Sequence, residues 1–219
     1  MRIKMANNKR NAALLLLISV LASLILVGCS KGEDYCVYYA DYEIAPENAY
    51  YVELKVADYD DPIILLLDRG NAPDTVDNFV SLVERGYYDG LTFHRVKKDF
   101  MIQGGDGSHL PEDQRATEIF GEFLANGWPN EIEHKRGVIS MARSADYDSA
   151  TSGFFICTAD KPNIDGEYAA FGFVISGLNT VDKIVTRTML FTGENGQITD
   201  KSRQPVIEYI KILEDYTAK

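Results

Sequence analysis

Residues 93–106 read FHRVKKDFMIQGGD, and this stretch is the most informative part of the chain. It places Arg95 and Gln103 among phenylalanine, valine, methionine and isoleucine, with no nucleophile or metal-binding cluster beside them. An arginine stays protonated at any workable pH and therefore cannot serve as a base. The stretch thus indicates a site that uses a fixed positive charge beside an apolar surface.

Short apolar segments surround this stretch and are separated by glycine turns. Residues 50–56 (YYVELKV) alternate in polarity, as a half-buried strand does, and residues 62–68 (PIILLLD) form a second short apolar run. Five further strand candidates are LTFHRV, FMIQGG, GVISMAR, GFFICTA and AAFGFVI. Many short strands predict a mainly β fold, either a barrel or a sandwich, and periodicity alone does not separate the two.

Two helices interrupt the strand pattern. The first is predicted over residues 71–86, where Pro73 lies in the first turn and Gly86 ends the segment. Apolar residues recur there every three or four positions, as on one face of a helix. The second helix is predicted near residues 179–187, with Val181 and Ile184 on one side. We therefore expect the domain to hold two helices.

The first 28 residues differ from the rest of the chain. Residues 1–10 carry four basic residues and no acid, and residues 12–28 are almost wholly apolar, as in a secretory signal. The apolar run ends in Leu-Val-Gly-Cys, which resembles the bacterial lipobox, so Cys29 is predicted to be lipidated and to begin the mature protein. Two acyl chains give stable anchoring. The alternative is that the run itself spans the membrane, although it is slightly short for the ~20 residues needed.

Three regions are predicted along the chain. Residues 1–28 form a signal that is removed, residues 29–48 form a lipidated, acidic and tyrosine-rich tether, and residues 49–217 form one folded domain. A random tether of this length spans ~25 Å. The net charge of −11 disfavours nucleic acid as a partner, and loss of the basic signal makes the charge more negative. We expect a monomer in the bacterial cell envelope, outside the cytoplasm and held to a membrane.

Several kinds of active site find no support in the sequence. The histidines, His94, His109 and His134, are scattered without the spacing of metal ligands, so a metal site is not expected. No Gly-x-Ser-x-Gly motif or phosphate loop is present. Cys157 lies in the apolar run FFIC and is expected to be a small buried side chain, with a disulfide to Cys36 as the alternative.

FHRVKKDFMIQGGD resembles the signature of the cyclophilins, a family of peptidyl-prolyl cis-trans isomerases. The segments APDTVDNFVSLVERGYYDGLTFHRV, GEF, RGVISMARSADYDSATSGFFICTA and NIDGEYAAFGFVISGLNTVDKI are also similar to the family, in the family's order. The resemblance implies a closed eight-stranded antiparallel β-barrel capped by two α-helices, with the site on its outer face. It also implies an X–Pro peptide bond as the substrate and no cofactor.

The resemblance assigns roles to particular residues. Arg95 is implied to be the catalytic arginine, with Gln103 holding it and Phe100 as a further catalytic residue. Phe100 also belongs to the implied proline pocket. The implied substrate-binding residues are Met101, Phe155, Ile164 and Tyr168 around the proline, and Ala142 and Arg143 along the substrate backbone.

The expected function is to accelerate rotation about X–Pro bonds in unfolded or partly folded exported proteins, with Arg95 stabilising the twisted amide. Three features depart from the family. Gly153 replaces the glutamine that usually precedes the FF pair, and GSHLPEDQRATEIF replaces a glycine-rich loop. Asn163 and Tyr168 stand where a tryptophan and a histidine are common, which predicts weak cyclosporin binding. Gly153 keeps a second function open, that of a tethered proline-peptide binding module or holdase with little turnover.

Overall fold

The computed structural model describes Asp34, residues 42–214 and Tyr216. The predicted signal, the predicted lipidation site Cys29 and the second cysteine Cys36 lie outside these residues. Within the described part, no helix is both long and apolar enough to cross a membrane.

Eight antiparallel strands form one sheet, in the order β3-β4-β6-β5-β7-β2-β1-β8. Two α-helices accompany it, and the predicted mainly β fold with two helices is confirmed. The strands are β1 (Ala49–Val56), β2 (Ile63–Asp68), β3 (Phe93–Lys97), β4 (Met101–Gly104), β5 (Val138–Met141), β6 (Phe154–Cys157), β7 (Ala170–Ser176) and β8 (Ile207–Ile212). The helices are α1 (Pro73–Glu84) and α2 (Leu178–Thr188).

The predicted closure of the barrel is not supported. β3 and β8 are the two edges of the sheet. In the described residues, one isolated bridge, Thr92 with Val206, and a few backbone hydrogen bonds join the starts of the two strands, and no ladder runs along them. The loop after α2 occupies the outer edge of β3, where the amide of Val96 donates to the Gly196 carbonyl at 2.7 Å. Because this loop takes hydrogen bonds along β3, β8 does not pair with that strand, and the sheet is open and curled.

The interior of the curled sheet is filled by apolar side chains, and α1 packs against them. Phe79 of α1 is fully buried, with its ring centroid 5.1 to 5.7 Å from those of Tyr88, Phe154 and Phe171. Val76, one turn earlier, is fully buried as well. The apolar face predicted from the helical spacing is therefore the face that enters the core.

Candidate active site

The hairpin of β3 and β4 brings Arg95 and Gln103 together. The two residues are register partners in this antiparallel pair, so their side chains lie side by side on one face. Nη1 of Arg95 donates to Gln103 Oε1 at 3.0 Å, and Nε donates to the main-chain carbonyl of Asn195 at 2.9 Å. Nη2 has no hydrogen-bond partner among the described residues. The guanidinium is thus fixed through two nitrogens and keeps a donor for a ligand.

The turn between β3 and β4 allows two neighbouring residues, Phe100 and Met101, to line one cavity. β3 ends at Lys97, and Asp99 adopts left-handed backbone with a φ of 53°. The amide of Phe100 then donates to the Lys97 carbonyl at 3.1 Å. In a regular strand, successive side chains point to opposite faces. The tight turn breaks that alternation, so both side chains reach the same cavity.

A cavity of about 90 Å³ lies beside Arg95. Met101 and Phe155 in its wall are 1% and 5% exposed, and Tyr168 meets Phe155 edge-on with ring centroids 5.6 Å apart. Ile164 packs against the same apolar cluster but does not line the cavity. The other predicted site residues all line it: Arg95, Phe100, Met101, Gln103, Ala142, Arg143, Phe155 and Tyr168.

The side chain of Arg143 is committed to contacts within the protein. Its guanidinium carbon lies 5.0, 4.8 and 4.7 Å from the ring centroids of Phe123, Tyr147 and Tyr168. Nε and Nη2 both donate to the Glu167 carbonyl, at 3.1 and 2.8 Å. The side chain is 10% exposed. Arg143 therefore joins three segments at the rim of the cavity, and its guanidinium is not a free donor for a substrate.

A buried polar chain behind the cavity was not recognised in the sequence. His134 Nδ1 lies 3.1 Å from Asp165 Oδ1, and Nε2 lies 3.1 Å from Ser140 Oγ. The His134 ring also stacks on Phe155, with centroids 6.0 Å apart and an interplanar angle of 16°. Burial lowers the pKa of His134, and the hydrogen bond to Asp165 partly opposes that shift. A neutral imidazole that donates from Nδ1 to the carboxylate leaves Nε2 to accept from Ser140.

The local sequence around His134 did not indicate this role. Its isolation among the histidines argued against a metal site, and the described residues hold no group of three or more metal-ligating side chains. Its partners Ser140 and Asp165 lie 6 and 31 residues away, on separate elements.

Two departures from the family pattern, Gly153 and the replaced loop, have different relations to the cavity beside Arg95. A Cβ added at Gly153 would meet Ala142 Cβ at 3.6 Å and the Gly104 carbonyl oxygen at 3.9 Å, which are ordinary contact distances. A Cβ atom therefore fits at this position without a close contact. The replaced loop contributes Ser108 and His109 to a separate cavity of about 380 Å³, while no residue of the loop lines the cavity beside Arg95.

Cys157 is a buried free thiol next to Met101 and Phe155. Burial raises the pKa of this thiol well above its usual range. The prediction of a small buried side chain is confirmed, and the alternative of a disulfide is not supported.

The family model for cyclophilin-type peptidyl-prolyl cis-trans isomerases matches residues 51–213. Peptidyl-prolyl cis-trans isomerase A of Dickeya dadantii is 45% identical over 127 residues, which are 56% of this chain and 65% of that protein. Peptidyl-prolyl cis-trans isomerase ppi1 of Schizosaccharomyces pombe is 37% identical over 153 residues, which are 69% of this chain and 89% of that protein.

Solved structures agree with these matches. A cyclophilin-type peptidyl-prolyl cis-trans isomerase of Cryptosporidium parvum superposes with a TM-score of 0.63 at 25% identity, covering 77% of this chain and 99% of that one. A second structure of that protein, in the presence of the dipeptide Ala-Pro, gives a TM-score of 0.62. The matched residues contain the Arg95 cavity, strands β2 to β8 and all of β1 except its first two residues. The chain belongs to the cyclophilin-type peptidyl-prolyl cis-trans isomerases and is an enzyme of that class.

Proposed function

We propose that this enzyme accelerates rotation about X–Pro bonds by holding the proline ring in the Arg95 cavity while the guanidinium stabilises the twisted amide. The observation that carries this mechanism is the fixed position of Arg95. Two of its nitrogens are bound by Gln103 and by the Asn195 carbonyl, and it borders an apolar cavity.

The chemistry of the peptide bond explains why a fixed arginine is sufficient. Rotation is slow because the nitrogen lone pair is delocalised into the carbonyl, which gives a barrier of ~18–20 kcal/mol. In the twisted transition state the lone pair returns to the prolyl nitrogen, which then accepts a hydrogen bond more strongly. A guanidinium donor aimed at that nitrogen binds the transition state better than either ground state. No proton transfer and no covalent intermediate are required.

Arg95 and the walls of the cavity are sufficient for a rate acceleration of the expected size. Bringing a step of tens of seconds to milliseconds is ~10⁴-fold, or about 5–6 kcal/mol of transition-state stabilisation. Preorganisation contributes because Arg95 needs no reordering when the substrate binds. The buried walls formed by Met101 and Phe155 exclude water and so strengthen the charge-assisted hydrogen bond.

We further propose that the substrates are exported proteins. Support comes from the sequence: an apolar signal-like segment and the lipobox-like Leu-Val-Gly-Cys precede the domain. In this proposal Cys29 carries the lipid, and the monomeric domain works on clients close to a membrane of the bacterial envelope. X–Pro isomerisation is slow enough to limit their folding.

A second candidate function is favoured by Gly153 alone. Without a glutamine side chain at that position, the protein could bind proline-containing segments with little turnover, as a tethered binding module or holdase. The structure makes the two functions separable by experiment, because Gly153→Gln introduces no close contact at Cβ.

The test uses residues 29–219 with Cys29→Ser, and follows cis/trans exchange of an X–Pro tetrapeptide by NMR. We expect the parent to accelerate exchange and Arg95→Ala to lower the rate at least tenfold. Arg85→Ala, which removes an exposed arginine at the end of α1, is the matched control and should leave the rate unchanged. Binding without acceleration, with turnover restored by Gly153→Gln, would instead establish the binding module.

A further inference from the structure

Neither helix is capped at its N-terminus by a neighbouring side chain. α1 follows Ala72 and α2 follows Gly177, and neither residue provides a side-chain hydrogen bond to the first turn. The first-turn amides of a helix lack internal acceptors, and the positive end of the helix dipole favours a carboxylate. At α2, a residue distant in sequence supplies the missing acceptors for these amides.

Asp34 is the distant acid at α2. Its Oδ2 accepts from the amide of Gly177 at 3.1 Å and its Oδ1 accepts from the amide of Asn179 at 2.9 Å. Its main-chain carbonyl accepts from the amide of Leu178 at 2.9 Å. Three consecutive amides are thus bound by one residue from the region predicted to be a tether.

The end of the same region is attached at a second place. The ring of Tyr42 lies 5.3 Å from that of Phe173 in β7, and the Tyr42 hydroxyl donates to the Glu131 carbonyl at 3.1 Å. Ile44 packs against the small buried cluster to which Phe173 belongs. These contacts are independent of Asp34, so the segment before β1 is held at two separate points of the domain surface.

We propose that the N-terminal segment is attached to the domain surface through Asp34 and Tyr42, and that a lipid on Cys29 consequently holds the domain in one preferred orientation. The N-terminal end of α2 then lies closer to the bilayer than the Arg95 cavity does. The proposal deepens the proposed function and rests on its lipidated Cys29.

Chain geometry sets how closely Asp34 follows the anchor. Asp34 is the fifth residue after Cys29, and a fully extended chain over those five steps spans ~17 Å. This is shorter than the ~25 Å average span of a random 20-residue tether. The capped end of α2 is therefore confined near the point of attachment.

The opposite end of α2 is connected to the catalytic site. The helix has 11 residues and is about 16 Å long. The chain that leaves its C-terminal end reaches Arg95, where the Asn195 carbonyl accepts from Nε at 2.9 Å. Asp34 and the Arg95 cavity are thus linked to different ends of one helix, and only the end bound by Asp34 is tied directly to the anchor.

The docking is tested first without lipid, on residues 29–219 with Cys29→Ser. We expect Asp34→Ala to shift the NMR amide signals of Gly177 and Asn179 and to speed proteolysis within residues 29–41 at least tenfold. Asp113→Ala, at an exposed acid elsewhere, is the matched control. Peptide isomerisation should be the same in all three proteins. Unchanged amide signals and unchanged proteolysis in Asp34→Ala would overturn the docking.

The orientation is tested on the full chain, produced in a bacterium and placed in phosphatidylcholine nanodiscs that contain a gadolinium-chelate lipid. We expect stronger broadening of the amide signals of Gly177 and Asn179 than of Met101, and loss of this contrast in Asp34→Ala. Equal broadening in the parent would overturn the orientation. Absence of a diacylglyceryl group on Cys29 by mass spectrometry would remove the proposed anchor and the orientation with it. Peptide isomerisation, measured separately, decides the mechanism at Arg95.

Discussion

Arg95 and Gln103 lie opposite each other on β3 and β4, and the Nη1 donor and the Oε1 acceptor are 3.0 Å apart. The second anchor of the guanidinium is a main-chain carbonyl, that of Asn195. One side chain and one backbone carbonyl therefore hold the guanidinium of Arg95 in place. Substitution of Gln103 removes the first contact, whereas substitution of Asn195 keeps the second.

The Gln103 side chain should affect catalysis more than stability. We expect Gln103→Ala to lower kcat/KM about tenfold, equivalent to ~1.4 kcal/mol, because Arg95 loses one of its two anchors. Asn195→Ala is the matched control, since it keeps the carbonyl that binds Nε and should retain nearly full activity. Both values come from NMR exchange on an X–Pro peptide. Equal losses in the two variants would contradict the assigned role.

Arg143 should affect stability through the rings it contacts. Cation–π contacts are worth ~0.5–1 kcal/mol when exposed and ~2 when desolvated, and Arg143 contacts three rings with a side chain 10% exposed. We expect Arg143→Met to lower the free energy of unfolding by about 2 kcal/mol in urea titrations. The comparison is Arg203→Met, where a 55% exposed side chain lies over one ring, Phe191, and a loss below ~1 kcal/mol is expected.

Glu122 caps α1 from outside the helix. Its Oε1 accepts from the amide of Asp74 at 3.0 Å and its Oε2 accepts from the amide of Thr75 at 2.8 Å. Because Glu122 is fully buried, Glu122→Ala leaves two first-turn amides without an acceptor. We expect a loss of about 2–3 kcal/mol in the free energy of unfolding, measured by urea titration. Glu118→Ala, an exposed acid nearby in sequence, should change stability by less than ~0.5 kcal/mol.

His134 should make stability dependent on pH. Burial lowers the pKa of His134 in the folded protein, so below the unfolded value of ~6.5 the unfolded chain binds the additional proton. Stability from this group is thus fully present above pH ~6.5 and is lost as the pH falls, with a slope of up to about 1.4 kcal/mol per pH unit.

His134→Gln should reduce the slope of unfolding free energy between pH 7 and pH 5, measured by urea titration at each pH. His109→Gln, at an exposed histidine, should leave the slope as in the parent. Burial also lowers the pKa of His94, so part of the slope should persist in the His134 variant. An unchanged slope in that variant would contradict the shifted pKa of His134.

The local patterns of the sequence were sufficient for both helices, and the resemblance to the cyclophilins indicated which residues line the cavity. α1 was predicted within residues 71–86 and forms over Pro73–Glu84, because apolar spacing and a glycine stop act within a few turns. Arg95 and Gln103 are eight residues apart on one hairpin, so their pairing also follows from local structure. Cys157 was expected to be buried because its whole strand is apolar.

Long-range contacts decided the remaining features. Arg95 meets the Asn195 carbonyl 100 residues away, and the loop that carries Asn195 also keeps β8 from pairing along β3, so the barrel stays open. Arg143 lines the cavity, as the resemblance implied, but the three rings that hold its side chain were not indicated by the sequence.

The sequence by itself determined the family, the two helices and the residues that line the cavity beside Arg95. The tertiary structure alone decided which acids cap the helices, because in a chain with 33 acidic residues any one could bind free amides. Asp34 and Glu122 are selected by where the folded chain places them, 145 and 47 residues from the amides of Asn179 and Thr75. Hydrogen bonds at such separations follow from the packing of loops, and local periodicity does not predict that packing.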